Sequence, residues 1–366
     1  MSASANWCRD EAFNVTTDRS AIAPRTLRTT DALVEHGLVD ATERAAINRV
    51  AAQFAIAITP SVLETIAGGD PDKGIARQYV PSTAENTFTP GERDDPIGDA
   101  RHSPVKGIIH RYPDRVLLNA VQSCAVYCRF CFRREQVGPQ TKALSAQELD
   151  EALRYIREHE AIWEVILSGG DPLMLQPPKL AQIAASLNGI EHVKVMRLHT
   201  RIPVAAPERV TDDLVQALRV MTPTYVAIHV NHPDELTADA RVACARLADA
   251  GIPLLGQTVL LKQINDRADV LERLFRDLVE LRIKPYYLHV GDQAKGTSHF
   301  RTGIAAGQQL MRDLRGTVSG LCQPTLVLDI PGGHGKVPVG PTYLEHAPDG
   351  CRVTDIHGTV HDYPEG

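Results

Sequence analysis

Alternation of short apolar runs with helical stretches predicts an α/β fold: a partial (βα)6 barrel carrying an N-terminal helical appendage. Two observations carry this. From Val116 onward, strand-like runs recur at 116–120, 164–167, 193–198, 225–230, 253–260 and 285–290, with a seventh at 325–330. The helices between them start on recognisable signals: Ser145 with Glu148 as a capping box, Thr211 before Asp212-Asp213, and Thr237 before an Ala-rich run closed by Gly251. Regular strand–helix alternation means parallel strands joined by crossover helices. Six such units make an open barrel, and chemistry in barrels sits at the C-terminal ends of the strands.

Residues 1–100 read as a helical appendage and connector, 101–330 as the barrel, and 331–366 as a Gly-rich loop and tail. In the appendage, Asp40 with Glu43 resembles a capping box ahead of a helix over 41–56. Thr59-Pro60 starts a short helix that should stop at Gly68-Gly69. Residues 70–105, rich in Pro, Gly and Asp, read as an extended loop.

The 366 residues are 43% hydrophobic and 23% charged, enough for a sizeable core. A net charge of -6 argues against a general nucleic-acid or membrane-surface binder, both of which want a basic face. No apolar run approaches the ~20 residues of a membrane span, and the N-terminus lacks the pattern of a secretory signal. The cytoplasm is the expected location. Seven cysteines, three of them within eight positions and Cys8, Cys244, Cys322 and Cys351 scattered, do not form a disulfide framework and suit a reducing compartment.

Cys124, Cys128 and Cys131 lie in one loop directly after the first barrel strand. Three thiolates can hold three irons of a [4Fe–4S] cubane and leave the fourth open to a small molecule. Zinc is the competing metal, but no fourth Cys or well-spaced His is near. After the second strand comes Ser168-Gly169-Gly170-Asp171-Pro172, either a tight turn before a helix or a backbone cradle for a ligand. Further on, Asp329-Ile-Pro-Gly-Gly-His-Gly-Lys336 surrounds a lysine with glycines. It lacks Walker spacing, and reads either as a surface turn or as a lysine free to bond an aldehyde cofactor.

Cys-x3-Cys-x2-Cys with the Gly169-Gly170-Asp171 turn resembles the radical S-adenosylmethionine superfamily. With His110 to Arg115, Arg133-Arg134, Pro285-Tyr286-Tyr287-Leu288, His299-Phe-Arg-Thr302 and the Pro-Gly-Gly-x-Gly-Lys element, residues 95–345 resemble the lysine 2,3-aminomutase family in collinear order.

The resemblance implies a [4Fe–4S] cluster on Cys124, Cys128 and Cys131, and S-adenosyl-L-methionine met by Gly169, Gly170, Asp171, His229 and Gln257. The last two read equally as core polar groups. It implies pyridoxal 5'-phosphate (PLP) on Lys336, with Arg111 and Arg115 near the phosphate and Tyr112 beside the ring. The implied isomerase starts with a radical that takes hydrogen from C3 of an amino acid, after which the amino group migrates from C2. Arg133 would pair with the substrate α-carboxylate, and Asp292 and Asp329 with the ε-ammonium of L-lysine, giving β-lysine. Glutamate-specific relatives lack that acidic pair, and the branch that makes β-lysine for elongation factor P lacks the Asp before the Gly-rich loop. The enzyme that makes β-lysine for elongation factor P and an aminomutase with another amino-acid substrate remain the alternatives. From the residues alone, Asp329 could cap a turn and Asp292 could be solvated. An iron–sulfur electron carrier, a different class, would need a fourth cluster ligand and no lysine loop. The expected partners are the amino acid and a reductant such as flavodoxin or ferredoxin. Some members carry extra C-terminal cysteines for zinc; Cys351 stands alone here, so no zinc is expected. Divergent appendages leave homo-oligomer formation open.

Overall fold

The computed structural model describes residues 25–68, 74–138, 143–220, 222–347 and 350–364. Residues 1–24, including Cys8 and the N-terminal segment, and Gly69 with part of the connector lie outside them.

Nine strands form one curled sheet in chain order: β1 Ile108–Tyr112, β2 Arg115–Val121, β3 Glu164–Gly169, β4 Val195–Thr200, β5 Thr224–His229, β6 Leu254–Leu260, β7 Ile283–Val290, β8 Thr325–Asp329 and β9 Lys336–Pro338. β2 to β8 are mutually parallel and joined by helical crossovers, so the expected α/β partial barrel is what forms. The runs were apolar because each strand is covered on its outer face by a helix: Leu149, Leu180, Leu214, Leu247, Leu274 and Leu314 pack into one core with strand residues such as Leu118, Leu167, Leu198 and Ile228. The capping box at Ser145–Glu148 and the N-caps at Thr211 and Thr237 are present as expected.

Two strands of this sheet were not legible. β1 pairs antiparallel with β2 through a turn at Pro113-Asp114, and β9 pairs antiparallel with β8. β9 is three residues long and contains Pro338, so its own pattern is silent; its pairing comes from the returning Gly-rich loop. Beyond it, β10 Leu344–Ala347, β11 Gly350–Thr354 and β12 Val360–Tyr363 form a separate antiparallel sheet.

The appendage departs from expectation in detail. Asp40 accepts from the Thr42 N–H and caps a single 3-10 turn, Ala41–Glu43, without the reciprocal Glu43 bond. The following helix, Arg44–Ala51, stops before Ile56. The Thr59-capped helix Pro60–Ala67 ends at Gly68 as anticipated. Residues 74–105 are not simply extended: Ile75–Tyr79 is helical, and Ser82 and Glu85 form a capping box over Thr83–Asn86. Among the described residues no helix is long and apolar enough to cross a membrane.

The appendage grips the cysteine loop. Leu33, Ile47, Ile58, Val62 and Tyr79 form a second core that takes in Val126 of the loop, and Phe54 packs with Tyr127. Backbone bonds run from Tyr127 N–H to Ala57 and from Arg129 N–H to Gln78, at 2.9 and 2.8 Å. At the centre is Glu85, wholly buried. Its Oε2 accepts from Arg129 at 2.6 Å and from Arg134, and its Oε1 caps the Ser82 N–H at 2.9 Å. Removing one charge from a buried ion pair leaves the other uncompensated. Glu85→Gln is therefore expected to destabilise the fold by about 3–5 kcal/mol, read as a clear fall in the denaturation midpoint; an unchanged midpoint would contradict this account of the contact.

Candidate active site

The inner face of the sheet encloses a cavity of about 830 Å³, at the upper end of the usual range for small-molecule sites. Every residue given a site role from the sequence lines it: the three cysteines, the Gly-Gly-Asp turn, Arg111, Tyr112, Arg115, Arg133, His229, Gln257, Asp292, Asp329 and Lys336.

The cysteine loop and the Gly-Gly turn are braced together. Gly169 has φ +106°, and a Cβ there would stand 2.5 Å from Val121 O. A Cβ on Gly170 would stand 2.4 Å from Ser123 O. Gly170 N–H bonds Val121 O at 2.8 Å and Asp171 N–H bonds Ser123 O at 3.0 Å. The close approach these glycines permit is thus to the backbone of the cysteine loop itself. The Asp171 carboxylate accepts from Thr200 Oγ1 and Arg201 N–H, both at 2.7 Å, tying β3 to the end of β4.

Burial raises all three thiols above their ordinary range, Cys131 to about 11. Positive charge opposes it: Arg201 Nη1 donates to Cys128 Sγ at 2.9 Å, and Arg133 and Arg134 act on Cys131. Thiols that resist ionising alone, clustered in one loop beside cations, suit an iron–sulfur cluster, whose iron displaces their protons.

Lys336 is placed by sheet register. It sits directly across from Asp329 on β8, and His289 on β7 points to the same face. Lys336 Nζ lies 3.0 Å from Asp329 Oδ2 and 3.2 Å from His289 Nδ1. Burial raises Asp329, but the His289 and Lys336 contacts outweigh it and hold the carboxyl at about 2. Asp292 goes the other way. Burial, with the charge of Asp329 adding to it, pushes it up to about 7. Tyr112 OH accepts from Lys336 N–H at 2.7 Å, and the Arg115 guanidinium stacks 3.9 Å over the Tyr112 ring.

Asp99, in the connector read as plain loop, is central. Its carboxylate takes Arg111 at 2.9 Å and Arg133 at 2.8 Å. Arg111 Nε remains buried without a partner, and Arg133 Nη1 has only Ser168 Oγ at 3.3 Å. Both guanidiniums line the cavity and hold donors that are not fully used, Arg111 Nη1 lying 4.0 Å from Asp329 Oδ1, which suits an anionic phosphate or carboxylate. His229 and Gln257 line the wall; burial, with Arg201 adding, lowers His229 to about 3, so the ring is neutral.

Sequence reading missed Asp99, Arg201, Glu235 and His289. Arg201 is pinned by Glu235 and Gln78, each at 2.6 Å. Only His289 had an available signal, the period-two face of Pro285, Tyr287 and His289 along its strand.

The radical SAM superfamily model matches residues 118–274, the segment holding the cysteine loop and the Gly-Gly turn, and the class is therefore that of radical S-adenosylmethionine enzymes, which carry a [4Fe–4S] cluster and bind S-adenosylmethionine. A lysine-2,3-aminomutase model matches residues 311–366. L-lysine 2,3-aminomutase of Acetoanaerobium sticklandii is 41% identical over 82% of this chain and 73% of its own length. That of Clostridium subterminale is 40% identical over 85% of this chain and 75% of its own length. Glutamate 2,3-aminomutase of Clostridioides difficile is 39% identical over 82% of this chain and 71% of its own length. The chain belongs to the lysine 2,3-aminomutase family, a family of isomerases.

A methyl group at position 170 must displace the backbone of the cysteine loop. Gly170→Ala is expected to keep its secondary structure by circular dichroism yet lose most of its iron after anaerobic reconstitution. Full iron content would sink the idea that the turn holds the loop in place.

Proposed function

We propose that the chain is a radical SAM, PLP-dependent aminomutase that moves the α-amino group of L-lysine to C3. The observation that carries this reading is that one cavity is lined by the three cysteines, by Lys336, by arginines with spare donors and by the half-buried carboxylates of Asp292 and Asp329. Identity to relatives does not choose the substrate, because the lysine and glutamate enzymes are about equally similar.

The cysteines hold the cluster, and Lys336 Nζ is the attachment point for PLP. When bound, PLP supplies the π-system that lets an amino group pass between neighbouring carbons. Arg111 and Arg115 bind its phosphate, and Tyr112 flanks its ring. Arg133 holds the substrate α-carboxylate with the donor edge that Asp99 leaves free. Asp292 and Asp329 receive the ε-ammonium. Burial makes an isolated carboxylate costly at Asp292, and a cation brought beside it offsets that cost. The curled sheet, with the appendage packed on the cysteine loop, limits the access of water and stray hydrogen donors to the reacting carbons.

The test is anaerobic incubation with dithionite, S-adenosylmethionine, PLP and a panel of amino acids, read by mass-resolved chromatography for β-isomers. β-Lysine is expected; isomerisation of glutamate or alanine without lysine overturns the substrate. Single Ala variants at Cys124, Cys128 or Cys131 should lose iron, whereas Cys244→Ala and Cys322→Ala should keep it, since those two are buried in the hydrophobic core. Lys336→Ala should lose covalent PLP and keep the iron–sulfur spectrum. Borohydride labelling of another lysine would remove Lys336 from this role.

Asp329→Asn removes one ammonium partner. It is expected to raise the Michaelis constant for lysine on the order of tenfold and to lower turnover. Wild-type kinetics in that variant would refute the ammonium grip.

A further inference from the structure

Lys336 faces two proton-accepting atoms rather than one. Asp329 Oδ2 stands 3.0 Å from its Nζ and His289 Nδ1 stands 3.2 Å away. His289 Nδ1 is also 3.6 Å from Asp329 Oδ2, so the three groups form a closed triangle. Strand register fixes it. His289 pairs with Val327, Asp329 lies two residues further on the same face of β8, and Lys336 pairs with Asp329 from β9. None of the three side chains is freely solvated; their exposures are 16, 11 and 23% for His289, Asp329 and Lys336.

We propose that His289 is a positioning residue that shares Asp329 with Lys336: its Nδ1 holds the Nζ ammonium while the amine is free, and takes up that proton when Nζ bonds to a carbonyl carbon. The identity of the carbonyl, PLP, rests on the proposed function; the proton sharing does not.

An ammonium has no lone pair with which to attack, so Nζ must first shed a proton. If that proton left the site, Asp329 would lose its nearest cation and keep only Arg111 Nη1, 4.0 Å from its Oδ1, which is costly for a carboxylate only 11% exposed. His289 is the one group in the triangle able to gain a positive charge. The step balances. Nζ gives one proton to His289 Nδ1 and bonds to the aldehyde carbon; the carbonyl oxygen leaves as water with the two hydrogens left on Nζ, C=N replaces C=O, and nothing is oxidised or reduced. The His289–Asp329 pair then replaces the Lys336–Asp329 pair.

The groups facing the ring are Tyr287 on its own strand, with ring centroids 5.6 Å apart, Asp329 on β8, Lys336 on β9, and the histidines 199 and 229 on β4 and β5. Burial lowers the basicity of His289 and the Lys336 charge lowers it further, while the Asp329 bond and charge raise it. Loss of the Lys336 charge leaves Asp329 as its only charged neighbour in the triangle. His289 therefore gains its proton when Lys336 becomes neutral.

The test uses full-length protein labelled with 15N-histidine, with His289 assigned by the signal lost in His289→Gln. In the wild type without PLP, Nδ1 should be unprotonated at pH 7. In Lys336→Met, which removes the charge with no cofactor present, His289 should titrate at higher pH than in the wild type. An unmoved titration overturns the inference, whatever PLP does. With PLP added, wild-type His289 should show the same gain of protonation. Borohydride-trapped capture of PLP at Lys336 should be roughly tenfold slower in His289→Gln at pH 7, with the gap closing as pH rises. Capture with an unchanged rate and pH profile overturns the proton uptake. If Lys336→Met moves the titration but wild-type Lys336 never captures PLP, the proposed function fails and the proton sharing stands.

Discussion

The structure hangs on one buried carboxylate beneath the cysteine loop. Glu85 closes a short turn in the connector and at the same time receives Arg129 and Arg134, which flank the last cysteine of the loop. The loop has little regular structure of its own to define its shape. Its backbone is instead held by Ala57 and Gln78 on one side and by the Gly169-Gly170 turn on the other. Three thiols can only serve one cluster if that backbone is fixed, and a buried, fully paired charge network fixes it at the cost of desolvation. The appendage is thus a clamp on the barrel's chemistry rather than an ornament on its edge.

The opposite end of the cavity is organised by a different device. Here the positions come from sheet register: β7, β8 and β9 bring His289, Asp329 and Lys336 to one face. Because side chains alternate along a strand, a one-residue slip would turn all three away. The antiparallel return of β9 makes this possible, since it lets a lysine from a Gly-rich loop meet an aspartate seven positions earlier in the chain. Between the two ends, Asp99 ties Arg111 and Arg133 together, so that two cavity-lining arginines are oriented by one carboxylate.

Much of the fold was legible because local physics writes it into the chain. The caps at Ser145, Thr211 and Thr237 mark the starts of outer helices, and the apolar runs mark strands whose outer face packs under those helices. Where local signals were weak they misled. Asp40 and Glu43 have capping-box spacing, yet the segment makes only a 3-10 turn, and the helix after it stops short of Ile56 because the chain must bend to bring Phe54 onto Tyr127. The hairpin strand β1 and the short β9 owe their existence to pairing rather than propensity.

By itself the sequence determined the order of strands and helices, the cysteine loop after the first parallel strand, the Gly-Gly turn after the second and the lysine after the Gly-rich loop. These are spacing and composition, which survive in one dimension. Tertiary structure alone decided which charges face one another: that Glu85 takes Arg129 and Arg134, that Asp99 joins Arg111 to Arg133, that Arg201 reaches Cys128, and that His289 shares Asp329 with Lys336. A carboxylate in a polar loop looks the same in sequence whether it is solvated or buried against two arginines. The difference arises only when strand register and helix packing remove the water and leave it one set of partners.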